Sequence, residues 1–309
     1  MTATIYKSTG SFYLAYDDAG NKWHCRIRGR LKIDEDISST NPIAVGDTVT
    51  LMLESEEQRT AVITGIADRS NYMVRTSPHN KHQKHIVAAN IDLALLVATI
   101  KEPRTSNGFI DRFLITSEAY HIPAVIVFNK ADLLRGKYQE EWQERKAIYE
   151  AIGYQTFAAT AINGEGLEAL SSVLKDKTTL FSGHSGVGKS TLINYFIPDK
   201  NLRVQEVSGW SGKGQHTTTF AEMYDLPGGG RIIDTPGVKE FGIVDMAREE
   251  LSHYFPEMRV LINECRFNNC IHINEPGCAV KASVEAGTVS IERYESYIAI
   301  LSSLDAGFT

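Results

Sequence analysis

The chain has 309 residues, 42% of them apolar and 23% charged, with a formal net charge of −6. That length favours two or three domains over one, and the composition excludes a disordered or collagen-like chain. The acidic balance argues against broad non-specific nucleic-acid binding, so any RNA surface must be local.

Residues 1–75 read as short strands separated by turns. One strand covers residues 12–16 and ends at Asp17-Asp18-Ala19-Gly20-Asn21; others cover 23–33, 47–53 and 60–66. Strands at this spacing predict a small β-barrel, with the oligonucleotide-binding (OB) barrel the natural candidate. In 23–33 alternate side chains share a face, which places Arg26, Arg28, Arg30 and Lys32 on one side and Cys25, Ile27, Leu31 and Ile33 on the other. Such a row of cations can track the phosphates of an RNA, or simply form a solvated outer face; both readings stay open. Cys25, alone in this apolar pattern, reads as a buried small hydrophobe. Next, His79, His82 and His85 stand beside Lys81 and Lys84, but Pro78 and Asn80 signal a loop, so a basic linker is expected rather than a metal site.

From residue 86 the pattern becomes strands alternating with helices. Strands are expected at 91–100, 124–128, 155–160, 178–181, 218–225 and 231–233, with helices at 109–120, 138–152, 167–174 and 189–196. This predicts an α/β domain over 76–244 with a largely parallel sheet. The longest strongly apolar stretch, 91–100, is about half a membrane span. Residues 1–7 show no export signal, so a cytoplasmic protein without membrane attachment is expected.

Four segments fall at strand ends. Asn129-Lys130-Ala131-Asp132 follows Val125-Ile126-Val127-Phe128. The Asp132 carboxylate can accept two hydrogen bonds from guanine N1–H and its exocyclic amine, a pairing adenine cannot match, and Lys130 can lie along the base. Ala159-Thr160-Ala161, after the next strand, resembles the backbone loop that meets guanine O6 in GTPases. Gly183-His184-Ser185-Gly186-Val187-Gly188-Lys189-Ser190, followed by Thr191, fits G-x-x-x-x-G-K-S between a strand and a helix. Its backbone N–H groups would surround phosphate oxygens, Lys189 would neutralise the outer phosphates, and the Ser190 hydroxyl would bind Mg²⁺. Asp234-Thr235-Pro236-Gly237 then places a carboxylate for Mg²⁺ and a Gly237 N–H for the γ-phosphate.

The residue after this segment is Val238, which cannot orient water, so a low intrinsic rate of about 10⁻⁴ s⁻¹ is expected. His216, in the segment 208–219, is the candidate that completes the hydrolytic site, with loop shaping as its other reading. One of Thr217, Thr218 and Thr219 is expected to bind Mg²⁺. Base reader, O6 loop, phosphate loop, switch and Asp-x-x-Gly is the usual GTPase order cut after the last element and rejoined. A pocket assembled from strand ends survives such a cut.

After residue 244 the chain reads as helical, ending in the amphipathic run 290–304. Cys265, Cys270, His272 and Cys278 follow C-x4-C-x-H-x5-C. Three thiolates and an imidazole make a closed set typical of one structural zinc; buried reduced cysteines beside an incidental histidine are the other reading.

With these residues, the sequence closely resembles the bacterial ribosome small-subunit-dependent GTPase A family. Ala88-Ala89-Asn90-Ile91-Asp92, Gly183 to Thr191, Gly214-Gln215-His216-Thr217-Thr218-Thr219, Asp234-Thr235-Pro236-Gly237-Val238 and the Cys/Cys/His/Cys segment carry the resemblance over essentially the whole chain. Gln215 departs from it, standing where members more often carry a basic residue. The resemblance implies an OB barrel (1–75), a circularly permuted GTPase domain (76–244) and a helical zinc-binding domain (245–309). It also implies GTP hydrolysis with Mg²⁺, binding to rRNA, and a role in late maturation of the small ribosomal subunit; a monomer is expected. A GTP-controlled RNA-binding module, with hydrolysis only as reset, is the alternative, and a metabolic P-loop kinase is disfavoured by the guanine motif.

Overall fold

The structure, a computed structural model, describes residues 1–27, 42–76, 84–200, 202, 220–235 and 246–305. The first five strands are β1 (Thr2–Ser8), β2 (Tyr13–Asp17), β3 (Lys22–Ile27), β4 (Thr48–Ser55) and β5 (Thr60–Ile66). They pair in the order β1-β2-β3-β5-β4 and close through β4 back onto β1, with β3 and β5 parallel. This is the small OB-type barrel anticipated above, with one strand more than the four read from the sequence. Along β3 the alternation is as read: Trp23 and Cys25 are buried, while Lys22, His24 and Arg26 face out. Inside lie Ile5, Tyr13, Ala15, Val49, Leu51, Ala61 and Ile63. Burial pushes the Cys25 thiol up to about 11, which keeps it protonated and inert.

Two features here were not foreseen. The first is β1 itself, whose Ala3 and Ile5 face the barrel interior. The second is an antiparallel hairpin of β6 (Tyr72–Thr76) and β7 (Lys84–Ala89). His79 and His82 lie outside the described residues, and His85 belongs to β7.

Five parallel strands build the next layer: β8 (Leu93–Ala98), β9 (Ala124–Asn129), β10 (Gln155–Ala159), β11 (Thr178–Ser182) and β13 (Arg231–Asp234), with β12 (Glu222–Asp225) antiparallel to β13. The order is β10-β9-β8-β11-β13-β12. Helices α1 (Asn107–Ala119) and α2 (Lys137–Ala151) cover one face, and α3 (Leu167–Leu174) and α4 (Lys189–Phe196) the other. Because both faces are covered, β8 is apolar throughout: Ala94, Leu96 and Ala98 join the α1/α2 core, and Leu93, Leu95 and Val97 join the α3/α4 core. It is shorter than the expected 91–100. The Ile91 and Thr99 N–H groups leave the ladder, donating instead to Asn71 Oδ1 at 2.8 Å and Thr105 Oγ1 at 2.9 Å.

The barrel does not hang from a linker. Lys7 of β1 pairs with Glu222 of β12, and among the described residues barrel and α/β strands form one 11-stranded sheet. Lys7 Nζ meets Glu222 at 2.7 Å, and the Tyr6 hydroxyl donates to Asp225 Oδ1 at 2.6 Å.

The C-terminal unit contains a 3₁₀ segment (Arg248–Tyr254), then α5 (Pro256–Arg259), α6 (Ala279–Glu285) and α7 (Ile291–Asp305). Its core of Leu251, Phe255, Met258, Val280, Tyr297, Ile300 and Leu301 also takes in Ile115 from α1. No described helix is long and apolar enough to cross a membrane.

Candidate functional site

The carboxyl ends of β8, β9, β10, β11 and β13 lie side by side, and residues 129–132, 160–161, 183–190 and 234 sit at or just after four of them. This is where a doubly wound sheet binds its ligand. After β11 the chain turns through Gly183 to Gly188 into α4. Gly188 has φ 88°, and a Cβ there would collide with Asn129 Nδ2. Gly183 has φ 153°, and a Cβ would stand 2.5 Å from the Val97 carbonyl oxygen. Glycine at both positions therefore permits the loop to run against β8 and β9.

Asn129, 5% exposed at the end of β9, donates from Nδ2 to the Val187 carbonyl at 2.8 Å. That bond ties the base-reading motif to the phosphate loop, 58 residues away in sequence. Lys130 takes a left-handed conformation (φ 62°) and opens the 3₁₀ turn Ala131–Leu133, with its Nζ donating to the Glu102 carbonyl. Thr160, after β10, donates from its hydroxyl to Asp132 Oδ1 at 2.7 Å and accepts the Ile162 N–H. One carboxylate oxygen of Asp132 is thus held in a fixed orientation.

Lys189 is 8% exposed, and its Nζ lies 2.9 Å from Asp234 Oδ1 at the end of β13 and donates to the Thr235 carbonyl. Ser185 and Gly186 are exposed, and Ser190 and Thr191 half-buried at the start of α4. The structure therefore brings together residues 129–132, 160–161, 183–191 and 234. Gly237, His216 and Thr217 to Thr219 lie outside the described residues, as do Arg28, Arg30 and Lys32. Arg26 faces out from the barrel and is held by Glu54 at 2.5 Å, so one cation of the expected row already has an acidic neighbour.

Sequence reasoning missed the connection between β8 and α1, residues 99–106, which no motif marks. Besides Glu102, it brings Pro103 against Gly186 and Thr105 against His184.

The cysteine segment closes on itself in the C-terminal unit. Ligand atoms of Cys265, Cys270, His272 and Cys278 all lie within 4.8 Å of one another. His272 Nδ1 is 3.6 Å from Cys265 Sγ and 3.4 Å from Cys278 Sγ. A tetrahedron with Zn–N and Zn–S bonds of ordinary length has such edges of about 3.5 Å, so the four residues fit a bound metal ion. The ligand loop is fastened to α7, whose Tyr294 and Tyr297 hydroxyls donate to the His272 and Ile271 carbonyls at 2.7 and 2.8 Å.

Comparison with known proteins agrees with this geometry. Residues 66–244 match the RsgA GTPase family model and residues 2–63 match the RsgA N-terminal domain. The chain belongs to the RsgA GTPase family. It is therefore a GTP hydrolase. Among RsgA relatives, the chain is 49% identical over 306 residues to the small ribosomal subunit biogenesis GTPase RsgA of Flavobacterium psychrophilum, covering 99% of this chain and 94% of that one. The protein of the same description from Bacteroides fragilis is 46% identical, covering 99% and 98%. Two solved structures also match. YjeQ from Thermotoga maritima has a TM-score of 0.78 at 32% identity, covering 98% of both chains. YloQ, described as a circularly permuted GTPase, has a TM-score of 0.72 at 28% identity, covering 99% of this chain and 95% of that one.

Proposed function

We propose that this GTPase serves late assembly of the small ribosomal subunit, binding its rRNA and hydrolysing GTP when the subunit is engaged. The observation that carries the reading is full-length similarity, near half identity, to proteins described as small-subunit biogenesis GTPases. Three functional units are proposed, 1–75, 76–244 and 245–309, acting in the cytoplasm as a monomer. Arg26, Arg28, Arg30 and Lys32 are the barrel's proposed RNA contacts.

Within the pocket, Asp132 reads guanine and residues 160–161 face O6. The N–H groups of residues 183–191 bind the phosphates, joined by Lys189 and by Gly237 at the γ-phosphate. Mg²⁺ supplies charge neutralisation between the phosphates; Ser190, Asp234 and one of Thr217, Thr218 and Thr219 would hold it. The Lys189–Asp234 pair supports this, because its cation and carboxylate suit a phosphate and a metal ion respectively. Cys265, Cys270, His272 and Cys278 would hold one structural Zn²⁺. His216 completes the hydrolytic site.

Titrating GTPase activity with purified small and large subunits tests the role. Selective stimulation by the small subunit is expected, and His216→Ala is expected to abolish most of it. Indifference to both subunits overturns the assignment, and an unchanged stimulated rate in the variant eliminates His216.

Guanine selection has its own test. In the Asp132→Asn variant one acceptor facing guanine becomes a donor. GTP affinity should therefore fall by about 100-fold or more, from several kcal/mol of mispaired buried contacts. Xanthosine triphosphate, which carries an oxygen in place of the exocyclic amine, should bind the variant better than GTP does. Calorimetry showing GTP still preferred would exclude Asp132 as the base reader.

A further inference from the structure

The connection from β8 to α1 forms a wall of the pocket that touches both the base reader and the phosphate loop. Thr105, 1% exposed, is its pivot. Its Oγ1 accepts the Thr99 N–H at 2.9 Å and lies 2.8 Å from His184 Nε2. On the other side of the ring, His184 Nδ1 is 3.1 Å from the Ser185 carbonyl oxygen. A carbonyl only accepts, so Nδ1 carries the ring proton and Nε2 the lone pair. The Thr105 hydroxyl must then donate to His184. A continuous relay results, from the Thr99 N–H through Thr105 and the imidazole to the Ser185 carbonyl.

Surrounding contacts keep this relay in place. Phe109 of α1 meets the imidazole edge-on, with ring centroids 5.2 Å apart. Arg145 of α2 donates to the Thr105 carbonyl at 2.7 Å, and Ser106 caps α1 by accepting the Phe109 N–H at 3.2 Å. Burial holds the imidazole below its usual pKa, and the Lys130 charge acts in the same direction, which favours the neutral ring that the relay needs. Pro103 would touch a Cβ at Gly186 at 3.4 Å, so the exposed turn of the phosphate loop is backed by a rigid ring.

We infer that His184 and Thr105 are positioning residues for GTP: the Thr105 hydroxyl holds the imidazole, and the imidazole holds the Ser185–Gly186 turn so that its N–H groups face the phosphates. A loop with glycines at 183, 186 and 188 has many accessible conformations. Ordering it at the moment of binding costs affinity, and a brace present beforehand removes that cost. The inference rests on the nucleotide pocket assigned above and adds a side-chain role to residues otherwise expected to contribute only backbone.

GDP and guanosine, measured by competition against a fluorescent guanine nucleotide, separate a phosphate-loop brace from general damage. His184→Ala and Thr105→Val should each weaken GDP about five- to tenfold, the worth of one or two hydrogen bonds, and leave guanosine unchanged. The double variant should be no weaker than the poorer single, because the pair acts as a unit. His184→Gln, whose amide oxygen reaches the position of Nε2 and keeps the Thr105 bond but not the one to Ser185, should recover part of the loss. Should Thr105→Val fail to fold, the contrast between His184→Ala and His184→Gln decides alone. Equal loss of guanosine and GDP, unchanged GDP affinity, multiplicative losses in the double variant, or a glutamine variant as poor as alanine each overturns the brace. A wild-type protein that binds neither ligand instead overturns the pocket assignment.

Discussion

Arg293→Met should lower the unfolding free energy by about 3–5 kcal/mol, the cost of stranding a buried charge without its partner. Arg293 is 1% exposed on α7. Its Nη1 meets Asp111 of α1 at 2.5 Å, and its Nε and Nη2 meet Glu257 of α5 at 2.7 and 3.2 Å. Its guanidinium lies over the Phe255 ring at 4.6 Å. Burial opposes its charge, but Asp111 and Glu257 outweigh that and raise its pKa above the ordinary range. Without the guanidinium, Asp111 is left with the Tyr149 hydroxyl, which donates to it at 3.0 Å, in a site that is 0% exposed. The double variant Asp111→Asn with Arg293→Met should be less damaged than the single losses summed, since it removes one of the two carboxylates left without the guanidinium. Urea titration followed by tryptophan fluorescence and circular dichroism measures both. A cost below about 1 kcal/mol for Arg293→Met would mean that the site hydrates freely and the latch contributes little.

Chelating the metal should melt the C-terminal unit while the barrel and nucleotide pocket stay folded. Binding of structural zinc to such a ligand set is worth roughly 10–16 kcal/mol, more than most domains have in reserve. The unit's own core is small, and α7 is fastened to the ligand loop through Tyr294 and Tyr297. Loss of the ion should therefore release residues 262–290 and loosen α7 together. A strong chelator at neutral pH, or Cys270→Ala, should lower helicity and open residues 246–305 to protease, with GDP affinity changed little. Intact helicity and protease resistance after verified metal removal would sink the structural-zinc assignment.

Both expectations depend on contacts of different legibility. The cysteine cluster was readable because its ligands fall within one short segment, where spacing constrains geometry. The motifs at 129–132, 183–190 and 234 were readable for a related reason: each follows an apolar run, and a strand ending in such a turn has only one place to put it. Residue periodicity placed Cys25 inward and Arg26 outward, as found. By contrast, β1 escaped because its seven residues carry no strong apolar alternation, and the β6–β7 hairpin because the sequence between its strands reads as a basic linker. The Arg26–Glu54 pair joins residues 28 apart, and nothing local announces it.

What the chain determined by itself is the set of local motifs at 129–132, 183–190, 234 and 265–278, each made of residues close together along the backbone. Motif order also implied a short covalent path from the γ-phosphate segment into the cysteine unit. Only the tertiary structure decided how the units are joined. It set β1 of the barrel beside β12, through Lys7 to Glu222, 215 residues apart, and α7 against α1, through Arg293 to Asp111, 182 apart. It also turned the unmarked loop at 99–106 against His184. The physical reason is one of range. Local spacing dictates which side chains can share a strand end or a metal ion, whereas long-range pairings depend on which surfaces remain uncovered once each unit has buried its own core.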